Sequence, residues 1–180
     1  MKDNLLQIIL NAGATKAEVI PQSKIVLSSY FRDVCAGNQC GMYGKSHMCP
    51  PSIGDIDELM EKVRSFPTAI LYQSIAEIED SFDFEGMMEA GKKHEELCIR
   101  IHEEIKPIIK GNYLHLGSGG CHICEECAIL RNEPCVFPEK AIAPVEDHGI
   151  DVSNTCKGTS LKYINGPDTV TYFGMILFEE

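Results

Sequence analysis

The feature that most constrains this chain is a run of closely spaced cysteines after a glycine-rich loop. Within GSGGCHICEECAILRNEPCVFP, Cys121, Cys124 and Cys127 lie three residues apart, and Cys135 follows after seven intervening residues. A C-x₂-C-x₂-C run wraps one corner of an iron–sulfur cubane, with each thiolate bound to a different iron. Structural zinc sites instead pair two short cysteine knuckles across a longer insert. The spacing therefore predicts a 4Fe-4S cluster here, and zinc is the less favoured alternative.

The glycines that precede this run favour the same interpretation. Gly117, Gly119 and Gly120 let the backbone approach a cluster closely, so that N–H groups can point at its sulfides. The run departs from that of two-cluster bacterial ferredoxins, in which the fourth cysteine binds the other cluster. The assignment of Cys135 therefore stays open at this point.

A second, looser set of thiols lies earlier in the chain. Cys35, Cys40 and Cys49 occupy the stretch CAGNQCGMYGKSHMCPP, which ends in Cys-Pro as cluster loops do. No fourth cysteine lies nearby, and Cys156 is the nearest unassigned candidate, with His47 as another. We predict a second four-iron cluster on Cys35, Cys40, Cys49 and Cys156. The alternatives are an iron left open to substrate as a Lewis acid, a zinc site, or free thiols.

Two other groups of residues have simpler interpretations. Cys98 lies with His94 and His102 on one side of a long predicted helix, which is typical of a small buried thiol and two boundary histidines. Cys98 is therefore expected to bind no metal. The stretch LKYINGPDTVTY, with Tyr163, is predicted to form a structural turn, and the alternative is the rim of a small-ligand site.

Composition limits the compartment and the partners. Nine cysteines in 180 residues is a high share, and in a reducing compartment clustered thiols are more often metal ligands than disulfides. The formal charge of −11 disfavours a nucleic-acid partner, because phosphate binding needs basic patches. It accommodates a basic redox partner protein or a neutral small-molecule substrate. No apolar stretch approaches the roughly 20 residues that span a bilayer, so we expect no membrane partner and a cytoplasmic location.

The order of secondary-structure patterns predicts the fold class. Strands that alternate with helices indicate an α/β fold, with a mixed sheet, helices packed on it and cysteine-rich cluster-binding loops at strand ends. One domain is predicted over residues 1–180, since no linker or repeat divides the chain. Strands are predicted at residues 24–31, 68–78, 112–117 and 169–179, of which the last pairs antiparallel. Helices are predicted at the N-terminus, after an N-cap at Asp55, and over residues 85–110 with Leu97, Ile101, Ile105 and Ile108 buried.

The motifs, taken in order, resemble one family over nearly the whole chain. CGMYGK, CPP, SFDFEGMMEAGKKHEELC, GGCHICEECA, PCVFPEKAI and LKYINGPDTVTYFGMILFE follow one another as in the prokaryotic predicted metal-binding proteins, a domain of unknown function that is common in anaerobes. One departure is VEDHGIDV, where related sequences tend to read SMEAYGIDV. We expect it to change the shape of the pocket near residues 144–151 and not the number of ligands. The resemblance implies no reaction, but it implies metal binding through Cys35, Cys40, Cys49, Cys121, Cys124, Cys127, Cys135 and Cys156.

The function expected from these patterns is electron transfer. An oxygen-sensitive iron–sulfur protein with two four-iron clusters would pass single electrons to or from a redox partner. The alternative is an iron–sulfur enzyme, in which the cluster of the earlier cysteine set binds a small substrate and the other cluster supplies electrons. Tyr43, Lys45 and His47 would then be the nearest acid–base and orienting groups. A metal sensor or cluster carrier is a third class.

Overall fold

Five strands form one mixed sheet in the computed structural model, which describes residues 1–179. The predicted α/β class with a mixed sheet and packed helices is confirmed. The strands are β1 (Lys16–Pro21), β2 (Thr68–Glu77), β3 (Tyr113–Gly117), β4 (Ala143–Pro144) and β5 (Thr169–Phe178). The helices are α1 (Lys2–Ala12), α2 (Tyr30–Ala36), α3 (Ile56–Arg64), α4 (Phe84–Ile105) and α5 (Val152–Cys156).

The order of the strands brings several chain segments to one edge of the sheet. The order is β1-β2-β5-β3-β4, and every neighbouring pair is antiparallel except β3 with β4. The predicted antiparallel pairing of the last strand is thus confirmed. Because β3 and β4 are parallel, their carboxyl ends meet at the same edge, where ligands commonly bind in α/β sheets. The first half of β5 reaches that edge from the opposite direction.

Alternate residues of the central strands build a hydrophobic core on each face of the sheet. Leu71 of β2 packs in one core with Val63 of α3, whereas Tyr72 packs in the other with residues of α1 and α4. A Cβ atom on Gly174 of β5 would clash with the Tyr72 ring, so this cross-strand contact requires a glycine. Helices therefore cover both faces, and the loops at the carboxyl edge are held between the two layers.

Aspartate side chains cap the start of α3 and of α4. The Asp55 side chain accepts hydrogen bonds from two N–H groups in the first turn of α3, which confirms the predicted N-cap, and Asp83 caps α4 by accepting one from the Gly86 N–H. Leu97, Ile101 and Ile105 are buried, which confirms most of the predicted stripe of α4. Neither α4 nor any other helix within residues 1–179 is long and apolar enough to cross a membrane.

The predicted strand at residues 24–31 does not form. Leu27 makes a single antiparallel bridge, and α2 already begins at Tyr30. The strand at this end of the sheet is instead β1, which the sequence pattern does not predict. As an edge strand, β1 has Ile20 as its one fully buried residue, so its alternation of apolar and polar side chains is weak.

Candidate metal centre

The loop after β3 brings the closely spaced cysteines together around one small pocket, here called the closed site. Burial raises the pKa of the Cys121 thiol, and the nearby thiols of Cys135 and Cys124 add to the shift. The pocket has a volume of about 20 Å³, room for about one water molecule. All four cysteines of this set line it: Cys121, Cys124, Cys127 and Cys135.

Local contacts hold the loop of the closed site in place. Gly119 has a φ of 75°, in the left-handed region that favours glycine, and it turns the chain sharply after β3. Glu95 of α4 then anchors the loop, because its carboxylate accepts a hydrogen bond from the His122 backbone N–H at 2.7 Å. Cys127 precedes a short 3₁₀ helix, residues Ala128–Arg131. Between them, the anchored turn and this helix bring the four thiols of one short segment to a single pocket.

The earlier cysteines converge on a different kind of site, here called the open site. Cys35 lies in the last turn of α2, whereas Cys40 and Cys49 lie in turns. All three line a cavity of about 470 Å³, a size typical of small-molecule sites. The Cys35 thiol donates a hydrogen bond to Asp147 Oδ1 at 3.1 Å. Burial raises the pKa of Cys35 and of Cys49 to about 12, and the Asp147 carboxylate contributes to both shifts.

Asp147 is a member of the open site that the sequence pattern does not reveal. It lies in a short 3₁₀ helix, Glu146–His148, that follows β4. The residue is 3% exposed, and its Oδ2 atom has no hydrogen-bond partner among the described residues. Burial raises the pKa of Asp147, while Cys35, Cys49 and Arg32 oppose that shift. A buried carboxylate oxygen without a partner is costly, so this atom indicates a missing cation or donor.

The departure VEDHGIDV therefore lies within the candidate site itself. Asp147 contacts the Cys35 thiol there, and the expectation that the departure leaves the number of ligands unchanged stays a prediction. Pro144 and Glu146, which precede Asp147, do line the cavity as expected for residues 144–151. The sequence marks this segment as part of the pocket. It does not show the contact with Cys35, because the two residues are 112 positions apart in the chain.

The wall of the open cavity is aromatic and acidic. The rings of Tyr163 and Phe173 stack with centroids 5.8 Å apart and an interplanar angle of 10°. Burial raises the pKa of Glu146 to about 7. Among the described residues that line the cavity there is no lysine, arginine or histidine. This wall suits a largely apolar molecule that is uncharged or cationic, since an anion would find no basic partner.

The two sites share a boundary. The ring Nε2 of His47, between Cys40 and Cys49, donates a hydrogen bond to the Glu133 carbonyl oxygen at 2.8 Å. Residues 46–48 line the closed pocket together with the later cysteines. In return, Gly119 and Gly120, which precede Cys121, line the open cavity. Each cysteine-bearing loop thus forms part of the wall of the other site.

Several residues expected near the open site lie elsewhere. Cys156, the last residue of α5, is 4% exposed and packs in the hydrophobic core, and it is not among the residues that line the cavity. Whether it binds metal stays a prediction. Of the three groups expected from YGKSH, Tyr43 lines the open cavity, whereas Lys45 is exposed and His47 lines the closed pocket.

Cys98 and its neighbouring histidines form a separate, buried polar cluster. The Tyr72 hydroxyl donates to the Cys98 sulfur at 3.0 Å and lies 2.7 Å from His115 Nε2. His94 is 1% exposed, and its ring joins the Ser74 hydroxyl and the Phe173 carbonyl. Cys98 is buried, as expected from its position beside the apolar stripe of α4.

The donor sets of both sites fit a metal cofactor. Within residues 1–179 no group of three or more His, Cys, Asp or Glu side chains is arranged to hold a single metal ion as it stands. The chemistry of the donors nevertheless suits a thiolate-bound group, because four cysteines line the closed pocket and three line the open cavity. The unpartnered Asp147 oxygen beside the three thiols is a further sign that a positive group belongs there.

Comparison with known proteins identifies the family. Neither the curated proteins nor the solved structures give a match to this chain. A family model described as "Predicted metal-binding protein (DUF2284)" matches residues 18–178, which include both cysteine sets. The chain therefore belongs to this family of predicted metal-binding proteins.

Proposed function

We propose that this protein is an iron–sulfur oxidoreductase with one cluster for electron transfer and one that acts on a small molecule. The observation that carries the proposal is the contrast between the two sites. Four cysteines surround a pocket of about 20 Å³, whereas three cysteines line a cavity of about 470 Å³. When bound, a four-iron cluster exchanges single electrons, and an iron without a cysteine ligand also acts as a Lewis acid.

The residues of the open cavity define the class of substrate. The stacked rings of Tyr163 and Phe173 form a flat apolar surface on which a substrate can bury its own apolar area. Glu146 and Asp147 lie on the same wall, and the described lining residues include no basic side chain. The proposed substrate is therefore a neutral or cationic molecule with a large apolar part. Of the two hydroxyl groups in the YGKSH stretch, that of Tyr43 belongs to a residue that lines this cavity, and it can orient the substrate.

Electron transfer to or from a partner protein is the second candidate function, and one observation favours it. Leu130, Val136 and Phe137, which lie within and just after the loop of the closed site, are 50%, 55% and 40% exposed. Exposed apolar residues next to a redox centre suit a short-lived docking contact. The net charge of −11 would steer a basic partner toward the protein. In this function the open site is only a second relay, and no substrate occupies its cavity.

The deciding experiment begins with anaerobic purification and assays of iron, acid-labile sulfide and zinc. Two four-iron clusters predict brown protein with about eight irons and about eight sulfides per chain. Colourless protein with stoichiometric zinc and no sulfide would overturn the proposal.

A binding measurement on the same anaerobic protein then distinguishes the two candidate functions. A panel of neutral and cationic aromatic compounds, with matched carboxylates as controls, is added while EPR spectra of the reduced protein are recorded. A spectral change caused by the neutral or cationic compounds supports the enzyme. Spectra that none of the compounds changes, together with rapid reduction by a basic ferredoxin-type donor, favour the relay.

A further inference from the structure

We infer that Asp147 is the fourth protein ligand of the open site, so that this site is held by three thiolates and one carboxylate. The inference rests on the proposed function in so far as it assumes a cluster at this site. The Asp147 carboxylate thereby takes the role of fourth ligand that the sequence prediction gives to Cys156. Its support comes from the position, burial and hydrogen bonds of Asp147.

The first support is proximity to the thiols. Asp147 Oδ1 accepts a hydrogen bond from Cys35 at 3.1 Å, and the Cys49 thiol interacts with the same carboxylate through both charge and hydrogen bonding. Cys40 in turn interacts with Cys35 and Cys49. Asp147 thus belongs to the same group of side chains as the three cysteines, and all four residues line one cavity.

The second support is that Asp147 lacks a sufficient partner of its own. Its Oδ2 atom is buried without a hydrogen bond among the described residues. When Cys35 and Cys49 bind iron as thiolates they lose their protons, so the carboxylate loses both of its thiol donors. In a residue that is 3% exposed, a carboxylate with two unpaired oxygens stays ionised only with a cation close by, and an iron of the cluster would be one.

Arg32 is the competing partner for this carboxylate. Its Nη1 donates to the Gly54 carbonyl at 2.7 Å, and its Nη2 lies 3.5 Å from the backbone carbonyl of Asp147. Both terminal nitrogens of the guanidinium are thus engaged with backbone oxygens, whereas the buried Nε has no partner among the described residues, and no described hydrogen bond joins Arg32 to the Asp147 side chain. It lowers the pKa of Asp147 from a distance but leaves Oδ2 unpaired.

A carboxylate at this position has a measurable consequence. Thiolate is the better ligand for the iron of a cluster, and carboxylate suits harder cations. The iron beside Asp147 is therefore expected to be the one most easily lost from the protein. This iron would also face the cavity, where the Tyr163 and Phe173 rings lie.

The test measures the release of iron from anaerobically purified protein during brief oxidation by ferricyanide with a chelator present. Ferricyanide takes one electron, and one iron leaves to the chelator. Wild-type protein is expected to release about one iron per chain and to develop the EPR signal of a three-iron cluster. Asp147→Cys supplies a fourth thiolate and should retain that iron, whereas Asp147→Asn should be about one iron short as purified.

Two further variants and an internal standard complete the experiment. Cys156→Ala and Arg32→Gln should release iron as the wild type does. The roughly four irons of the closed site show that each variant is folded. Equal release from wild type and Asp147→Cys would overturn the inference. So would loss of iron in Cys156→Ala or in Arg32→Gln that matches the loss in Asp147→Asn. In each of these cases a total of about eight irons in the wild type leaves the proposed function standing. A wild type without a cluster at the open site overturns both.

Discussion

The closed and open sites assemble their ligands in opposite ways. The four cysteines of the closed site come from residues 121–135 of one loop, held by a glycine turn and by Glu95. The open site takes its three cysteines from α2 and two turns, and Asp147 from a segment 112 residues further along the chain. A site built from one segment is complete when that segment folds. A site built from distant segments leaves space between them, and that space is the cavity.

The sheet explains why the two sites lie side by side. The chain leaves β3 at Gly117 for the closed site and leaves β4 at Pro144 for Asp147, and these two residues pair in the parallel ladder. The Ser118 hydroxyl, next after Gly117, donates a hydrogen bond to the Phe173 carbonyl of β5 at 2.8 Å, and this bond holds the start of the closed-site loop against the sheet. Adjacent carboxyl ends of strands thus supply the closed site and the open cavity, which share a wall.

The largest expected effect is loss of the closed cluster on removal of one of its ligands. Cys124→Ala should lower iron and sulfide from about eight to about four per chain, because no other cysteine of the described chain lines that pocket. Iron and sulfide assays on anaerobic protein measure this. Cys98→Ala is the matched control, since Cys98 is buried beside Tyr72 and lies outside both cysteine sets. Unchanged iron in Cys124→Ala, or an equal loss in Cys98→Ala, would contradict the assignment of the closed site.

A second effect concerns the rates at which the two sites lose iron. A strong chelator reaches the open site through its cavity of about 470 Å³, whereas the closed pocket of about 20 Å³ admits none. Iron release should therefore have two phases of similar size, separated by at least about tenfold in rate, or about 1.4 kcal/mol in barrier. Absorbance of the iron–chelator complex follows both phases. A single phase that contains all the iron would show that the two sites are equally accessible.

The comparison also explains which parts of the site were predictable from sequence. The closed set is predictable because its ligands are neighbours in the chain and their spacing is itself the signal. Asp147 is not predictable, because nothing in VEDHGIDV shows which residues it will meet after folding. Cys156 is the predicted fourth ligand because it is the nearest unassigned cysteine, and its burial in the hydrophobic core at the end of α5 is a tertiary property that the sequence does not show.

The same physical distinction applies to the fold. β2 and β5 are long central strands with largely buried apolar runs, so their sequence identifies them. The edge strand β1 is half-exposed, and its sequence KAEVIP shows little alternation. Residues 24–31 contain a strand-like pattern, but they lie beside a loop and make one bridge there. A strand forms where a partner strand lies alongside, which local sequence does not specify.

A third, smaller effect is a dependence of stability on pH in the scaffold of the closed site. Burial lowers the pKa of His94 to about 4 and that of His115 to about 3, so both are neutral in the fold. In the unfolded chain each titrates near 6.5. Their contribution is therefore complete above about pH 6.5 and is lost as the pH falls toward the folded values, at about 1.4 kcal/mol per pH unit for each.

The variant His94→Gln isolates this contribution. Glutamine keeps an amide near the Ser74 hydroxyl and the Phe173 carbonyl but has no titrating group. The difference in the free energy of unfolding between wild type and variant should decrease by about 2 kcal/mol between pH 7 and pH 5. Urea unfolding at both pH values measures it, and any bound metal contributes equally to wild type and variant. A difference that stays constant with pH would mean that folding does not lower the pKa of His94.

The smallest effect tests the contact between the two sites. His47 lines the closed pocket and donates to the Glu133 carbonyl at 2.8 Å, so it connects the open-site loop to the closed-site loop. His47→Leu should cost about 1 kcal/mol of unfolding free energy, the worth of one partly exposed hydrogen bond, and should leave about eight irons in place. Lys45→Ala, at an exposed position two residues earlier, should change neither quantity. Loss of about four irons in His47→Leu would instead show that this histidine is a metal ligand. The closed and open sites would then share a ligand-bearing segment, and the contrast between them would be weaker.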